Sequence, residues 1–543
     1  MPNFLLEVGT EELPAPFASI VAPQLKSIVE SNFIRKNISY QQIECTSTPR
    51  RILLVIYGLA DKAKDSLVEI KGPPGSQAFI DGDPSPAAIG FAKRYNVSLQ
   101  ELEVRKTPKG PFVFATKKVI GEEISTLLTN CVPEWINKIQ GKRFMRWANG
   151  NIRFSRPIRW VVCLFNDKVL PIEIPGSDKR VISSNITSGH RLVKDRVIIS
   201  SIENYHQILK DVGVIVDRSI RKDSINKLVK EASIRLEALA EMPGSLLEEL
   251  TDLVESPSLI ECDFDQSFLS LPPEVLSIVM REHQRYIPLR YKNDVSEPLS
   301  LTSSGILFSK FICISNGLEE AQSTIKKGNE KVITARFSDA RYFFNTDLSI
   351  SSKQRLEGLK KVIFSEGLGS LFDRVQRILW LSEELVNIYK INSTNCDLLK
   401  TAALYSKHDL VSQMVGEFPE LQGVIGSKYL LSEGFEPKVS LAVFEQYMPK
   451  SSFGELPSSE IGLFLALIDK LELVLSIFAK GIRPKGSSDP YALRRAGNGI
   501  LQIIWDIDLK IDLVELIHSS VDYWLSLFPN FKLEASDLIK DLS

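Results

Sequence analysis

Phe4-Leu5-Leu6-Glu7-Val8 is a short apolar run broken by one carboxylate, and Gly9-Thr10-Glu11-Glu12-Leu13-Pro14 follows it directly. Beyond Pro14, the apolar residues Ile20, Val21, Leu25, Ile28 and Val29 recur at helical spacing. The stretch predicts a strand, an acidic turn and a helix. Ile52 to Tyr57, β-branched and leucine-rich behind Thr48-Pro49-Arg50-Arg51, reads as another strand, as do Ile158 to Phe165 and Phe311 to Ser315. Residues 1–345 therefore read as a mixed α/β body, with a subdivision expected near 175–200.

From about Lys353 the pattern changes. Leu356, Leu359, Val362 and Ile363, then Val375, Ile378, Leu381 and Leu385, recur mostly at intervals of three and four, with few strand signals. Loops rich in Pro, Gly or Ser (Gly434 to Pro437, Pro449 to Ser459, Arg483 to Pro490) punctuate this half. The expected fold class is multidomain α+β: a mixed body over 1–345, a helical domain over 346–495, and a helical start of a further region over 496–543. Ser536 to Leu542 reads as a helix opened by an N-cap serine, which predicts that the natural chain continues past Ser543.

A chain of 543 residues exceeds one ordinary core, so several packed units are expected. Its formal net charge is −1, so affinity for nucleic acid must come from local segregation of charge. The six cysteines (Cys45, Cys131, Cys163, Cys262, Cys313, Cys396) form no close pair, which excludes a CxxC zinc site and a dense disulfide framework and fits a reducing compartment. The N-terminal apolar run is too short for a signal sequence, and no stretch of about 18 apolar residues occurs. A cytoplasmic protein with no membrane partner is expected.

Several catalytic signatures are missing. Neither a HIGH-like nor a KMSKS-like string occurs, and no arginine-bearing motif lies beside a glycine-rich strand and helix. Gly481-Ile-Arg-Pro-Lys-Gly486-Ser-Ser has the spacing of a phosphate loop, but Ser487 stands where the lysine must be and no strand precedes it. His283 lacks a second histidine four residues away, so it reads as a structural group. The His408-Asp409 doublet, with Asp469 downstream, suggests a metal-dependent hydrolase of HD type. Yet no histidine lies between Lys353 and Lys407 to complete the ligand set, so the doublet reads as a metal-free relic of that helical fold.

Two basic segments stand out. Between Lys138 and Trp160 lie Lys138, Lys142, Arg143, Arg146, Arg153, Arg156 and Arg159 without an acidic residue, interleaved with Phe144, Trp147, Phe154 and Trp160. Such a pattern either clamps phosphates and stacks on bases or is a strand with its aromatics in the core and its arginines wet. The second cluster is Lys480, Arg483, Lys485, Arg494 and Arg495 with Asp489 as its one counter-charge, and its loop could meet a phosphate backbone. By contrast, Glu241 to Asp265 holds eight carboxylates and no lysine or arginine, which reads as a solvated or partner-facing acidic surface.

Taken together, Leu6-Glu-Val-Gly-Thr-Glu-Glu-Leu-Pro14, Thr48-Pro-Arg-Arg51, Arg143-Phe-Met-Arg-Trp147 with Phe154-Ser-Arg-Pro157, Gly189-His-Arg191, Leu271-Pro-Pro-Glu-Val275 with Gln284-Arg-Tyr286, Gly328-Asn-Glu-Lys-Val332, Asp339-Ala-Arg-Tyr-Phe-Phe344, Gly416-Glu-Phe-Pro-Glu-Leu-Gln-Gly423 and Asp489-Pro-Tyr-Ala-Leu-Arg-Arg495 resemble the glycyl-tRNA synthetase β-subunit family from one end of the sequence to the other. The sequence departs from the family at Ser256, where tryptophan is usual, and around Gly189-His-Arg191.

The resemblance implies an α subunit that carries the class II site for glycine and ATP, in an α2β2 heterotetramer. This chain would bind tRNA(Gly) and hold no cofactor itself, ATP and Mg being used by the holoenzyme. It also implies an HD-like helical domain and a C-terminal anticodon-binding region of which only the start, 496–543, is present. Arg143, Arg146, Lys485, Arg494 and Arg495 are the candidate tRNA contacts. The competing functions are an HD-family metal-dependent phosphohydrolase with an accessory domain and a non-catalytic assembly scaffold.

Overall fold

A computed structural model describes the protein except residues 81, 147–152, 175–180, 194–195, 293–297, 390–392, 452–453, 487, 507–511 and 530–543. The helix expected over Ser536 to Leu542 and the aromatic Trp147 lie outside the described residues. Two compact units form, each assembled from separated stretches. The first comprises Met1–Lys230, Pro243–Leu259 and Ile314–Gln322; the second comprises Glu231–Met242, Ile260–Cys313 and Ser323–Ser543.

In the first unit, Phe4–Thr10 is the central strand of a five-stranded sheet. It pairs antiparallel with Ile158–Phe165 on one side and Arg51–Tyr57 on the other; Lys168–Val169 and Gln42–Thr48 form the edges. Every residue of the central strand is buried, which explains why it reads as a near-continuous apolar run. Alternation splits its side chains between two cores. Phe4, Leu6 and Val8 pack under the helices Ala15–Lys36 and Ile124–Lys138. Leu5 faces the other way, into a core with Val55, Val162, Tyr205, Leu209 and Val216. A satellite sheet of Ser66–Pro74, Gly110–Val119 and Leu102–Thr107 has its own small core at Ala78, Ala88 and Val113.

A four-stranded sheet, most of whose residues belong to the second unit, has the order Ala238–Ala240, Ile287–Tyr291, Leu307–Ser315, Ser258–Asp263. The 27-residue helix Gln322–Leu348 follows it. Beyond that helix no named strand occurs among the described residues; the main helices are Leu371–Tyr389, Ser393–Tyr405, Val424–Ser432, Pro437–Glu445, Glu460–Ala479, Leu493–Asp506 and Leu513–Leu527. Their core is built from Ile378, Leu381, Leu385, Leu399, Val443, Leu465, Ile468, Leu475 and Trp524. Glu460–Ala479 is buried on nearly every side, so it behaves as the spine of the bundle. The molecule thus mixes helices with several small sheets, and among its described residues no helix is long and apolar enough to cross a membrane.

Candidate functional site

Glu7, the charge that breaks the first apolar run, points into the Tyr205 side of the sheet and is fully buried. Its Oε1 accepts hydrogen bonds from Trp160 Nε1 at 2.6 Å and Thr187 Oγ1 at 2.5 Å, and its Oε2 from the Tyr205 hydroxyl at 2.6 Å. Arg51 Nη1 lies 3.6 Å from the same carboxylate, while Arg51 Nε donates to Glu255 Oε1 at 3.1 Å. Thr48 Oγ1 donates to Glu255 as well, at 2.6 Å. Burial acts to depress the Arg51 pKa, but Glu255 and Glu7 outweigh it and raise the group above its ordinary value. The Trp160 ring lies against Gly9 so closely that a Cβ there would sit 1.9 Å from the ring. Glu7 and Gly9, with Thr48 and Arg51, are therefore parts of one sealed structural node.

Among the described residues, the basic segment Lys138 to Trp160 resolves in favour of packing for three of its aromatics, Phe144, Phe154 and Trp160. Phe144 and Phe154 make edge contacts to Phe17 at 5.6 and 5.7 Å, and Phe154 is fully buried. Trp160 is engaged in the Glu7 node. Arg143 and Arg146 are exposed, so the arginines remain on the wet face.

The acidic run Glu241 to Asp265 is not simply solvated: Asp265 is exposed, but six of its eight carboxylates are ion-paired, which corrects that part of the expectation from its local charge. Glu255 and Asp252 are buried against Arg51 and Arg218. Glu248 pairs with Lys222 and Arg218, Glu241 with Arg290, Glu261 with Arg235, and Asp263 with both Lys310 and Lys326. Their cations come from distant sequence, where a local reading of charge cannot see them.

In the second unit the His408-Asp409 doublet is fully buried in a short 3-10 turn. His408 Nδ1 accepts from Arg355 Nε at 3.3 Å, and Nε2 faces the Gly426 carbonyl at 3.2 Å. A single neutral tautomer, with the proton on Nε2, satisfies both contacts. Burial and the Arg355 charge lower the His408 pKa to about 3. Asp409 Oδ2 accepts from the amides of Gly423 at 2.6 Å and Gly426 at 3.2 Å; burial raises its pKa against those bonds. A Cβ on Gly426 would lie 2.9 Å from Asp409 Oδ2, so the close approach needs glycine.

Asp469 is brought near this turn but is engaged elsewhere. Its Oδ1 lies 2.9 Å from Lys407 Nζ and 3.1 Å from Arg374 Nη2. Arg374 also reaches Glu472 at 2.7 Å, and Arg377 reaches Glu472 at 2.8 Å. Burial would raise Asp469, but Lys407 and Arg374 hold it below the usual carboxylate range; burial lowers Lys407 to about 8 despite Asp469. Both imidazole nitrogens are thus occupied and two cations sit on Asp469, which leaves Asp409 Oδ1 as the one carboxylate oxygen of the doublet without a partner; among the described residues no group of three or more His, Cys, Asp or Glu could hold a metal ion.

Beside Asp469 opens a cavity of about 470 Å³, lined on its polar side by Arg374, Lys450, Lys470, Arg495, Glu420 and Asp469. Tyr447, Pro449, Leu473, Tyr491 and Ala496 supply most of the remaining wall. Arg495 belongs to the second basic cluster, and the structure shows how its loop is held. Asp489 accepts from the amides of Leu493 at 2.8 Å and Arg494 at 3.0 Å, capping the helix Leu493–Asp506. Arg494 Nη1 donates to the Gly486 carbonyl at 2.6 Å. Arg494, Arg495 and Lys485 are exposed. The arginine-lined cavity was not foreseen from sequence, because Lys450, Lys470 and Arg374 come from three separate segments.

A sequence profile described as glycyl-tRNA synthetase beta subunit matches residues 4–540. The glycine–tRNA ligase beta subunit of Picosynechococcus sp. is 40% identical over 531 residues, covering 73% of that protein and 98% of the present sequence. The subunit of Trichodesmium erythraeum is 39% identical over 542 residues, covering 74% and 100% respectively. That of Clostridioides difficile is 37% identical over 530 residues, covering 75% and 97%. The molecule is thus of the aminoacyl-tRNA synthetase subunit class; more narrowly, the chain belongs to the glycyl-tRNA synthetase beta subunit family.

Proposed function

We propose that this protein is the β subunit of a heteromeric glycine–tRNA ligase, in which an α subunit activates glycine with ATP and Mg while the β subunit binds tRNA(Gly) and completes the assembly. The observation that carries the reading is similarity along essentially the whole sequence to proteins named as that subunit. It is supported by the family motifs falling at positions with demanding local geometry, Glu7 and Gly9 in one unit and Gly423 in the other. The absence of ATP-cradling signatures from the sequence agrees with a division of labour between subunits.

An α2β2 stoichiometry is part of the proposal, as is an HD-like ancestry of the helical bundle, with the doublet now a structural turn. Exposed Arg143, Arg146, Lys485, Arg494 and Arg495 are the proposed tRNA contacts, since exposed guanidinium and ammonium groups can meet phosphates. The test is reconstitution with the α subunit of the same organism. Glycine charging of tRNA(Gly) is expected from the mixture, and no glycine-dependent pyrophosphate exchange is expected from the isolated β subunit. Charging that needs no β subunit, or exchange by the isolated β subunit, would overturn it.

A further inference from the structure

The cavity beside Asp469 has an imbalance of charge. Four cations line it against two carboxylates. Arg374 is engaged with Asp469 and Glu472, so the side chains left to face a ligand directly are Lys450 and Arg495, with the Lys470 charge behind them. Among the described residues no carboxylate lies within ion-pair distance of any of these three. Lys470 is nearly buried, and its ammonium donates to three backbone carbonyls, at 2.5 Å to Met448, 3.4 Å to Gln446 and 3.5 Å to Ala466, so it contributes charge rather than a free donor. A nearly buried ammonium on a cavity wall, with carbonyls as its hydrogen-bond partners, leaves an attractive potential that a compact anion would satisfy.

The wall chemistry narrows the anion. Arg495 offers a planar fork suited to two oxygens of one group, and Lys450 and Lys470 offer point charges. Pro449, Leu473, Ala492 and Ala496 form apolar wall beside them, against which a ribose or base can lie. The helix end does not compete for the anion, because Asp489 already takes the amides of Leu493 and Arg494. We propose that this cavity is a binding site for the phosphate group of a nucleotide, held by Arg495 and Lys450 with Lys470 behind them. The phosphate can come from a free mononucleotide or from a tRNA backbone. The tRNA source alone rests on the ligase-subunit reading.

The experiment titrates the whole protein with inorganic phosphate, adenosine 5′-monophosphate and adenosine by calorimetry, and separately measures tRNA(Gly) affinity against salt. Variants are Arg495→Ala, Lys450→Ala and Arg495→Lys; both positions are exposed, and thermal melts confirm that each variant folds. Phosphate and the monophosphate are expected to bind and adenosine not to. The Arg495→Ala, Lys450→Ala double variant should weaken the monophosphate at least about tenfold, with Arg495→Lys intermediate.

A tRNA source is indicated if the monophosphate competes with tRNA and Arg495→Ala lowers the salt slope by roughly 0.7 to 0.9. Monophosphate binding with an unchanged tRNA slope indicates a free nucleotide, and either result supports the site. The site is rejected if phosphate and monophosphate fail to bind while the tRNA slope is also unchanged. It is equally rejected if the double variant binds the monophosphate as wild type does, or if adenosine binds equally well. Glycine charging by the wild-type protein with the α subunit reads the ligase assignment independently of these variants.

Discussion

Both units bury an ion network, and the two are built to opposite ends. In the first, Arg51 lies between Glu7 and Glu255, all three are buried, and tryptophan, tyrosine and threonine donors supply further hydrogen bonds. In the second, Arg374, Arg377 and Lys407 meet Asp469 and Glu472, but one side opens on a cavity that carries extra cations. A sealed network that no ligand can reach can only hold elements together. One that adjoins a cavity with excess positive charge retains capacity for a ligand. The difference separates structural motif residues from candidate binding residues better than the motif pattern does.

The sealed network should be the costlier one to break. Arg51→Met is expected to lose about 3–5 kcal/mol, since it strands two buried carboxylates. Hydrogen exchange of the Phe4–Thr10 amides under urea reads this locally, and an effect near zero would break the comparison. Asp469→Asn leaves Lys407 and Arg374 near a cavity that water can enter, so a smaller loss of about 1–3 kcal/mol is expected, read from exchange in Glu460–Ala479. A loss equal to that of Arg51→Met would mean that the second network is as sealed as the first.

Acid sharpens the contrast through His408. Its folded pKa of about 3 lies below the unfolded value, so between about pH 6.5 and pH 3 the unfolded chain binds the extra proton. Stability should therefore fall as pH drops through that window, by up to about 1.4 kcal/mol per pH unit from this group. His408→Gln should remove that part of the slope while charging in the reconstituted enzyme stays near wild type. An unchanged pH profile would show that His408 is not buried neutral. The smallest expected effect on stability is from Arg143→Ala, which should leave the melt unchanged and lower the tRNA salt slope by roughly 0.7 to 0.9. A lower melting temperature with the slope intact would make Arg143 structural.

The strand at Phe4–Thr10, the helix after Pro14 and the helical second half were readable because each writes its burial as a period in its own sequence. The family was readable because its motifs survive in order. The acidic run shows where such reading stops: Glu255 and Asp252 look solvated until Arg51 and Arg218 arrive from far along the sequence. Phe144 and Phe154 were ambiguous for the same reason, since Phe17 decides their face.

By itself the sequence determined the strand at Phe4–Thr10, the helix after Pro14, the helical second half and the family. Tertiary structure alone decided that separated stretches interleave into two units, that Lys407 and Arg374 occupy Asp469, and that Lys450, Lys470 and Arg495 share one cavity. The physical reason is range. Periodicity and capping act over a few residues, whereas charge pairing and cavity formation depend on which distant segments the core brings within a few ångströms.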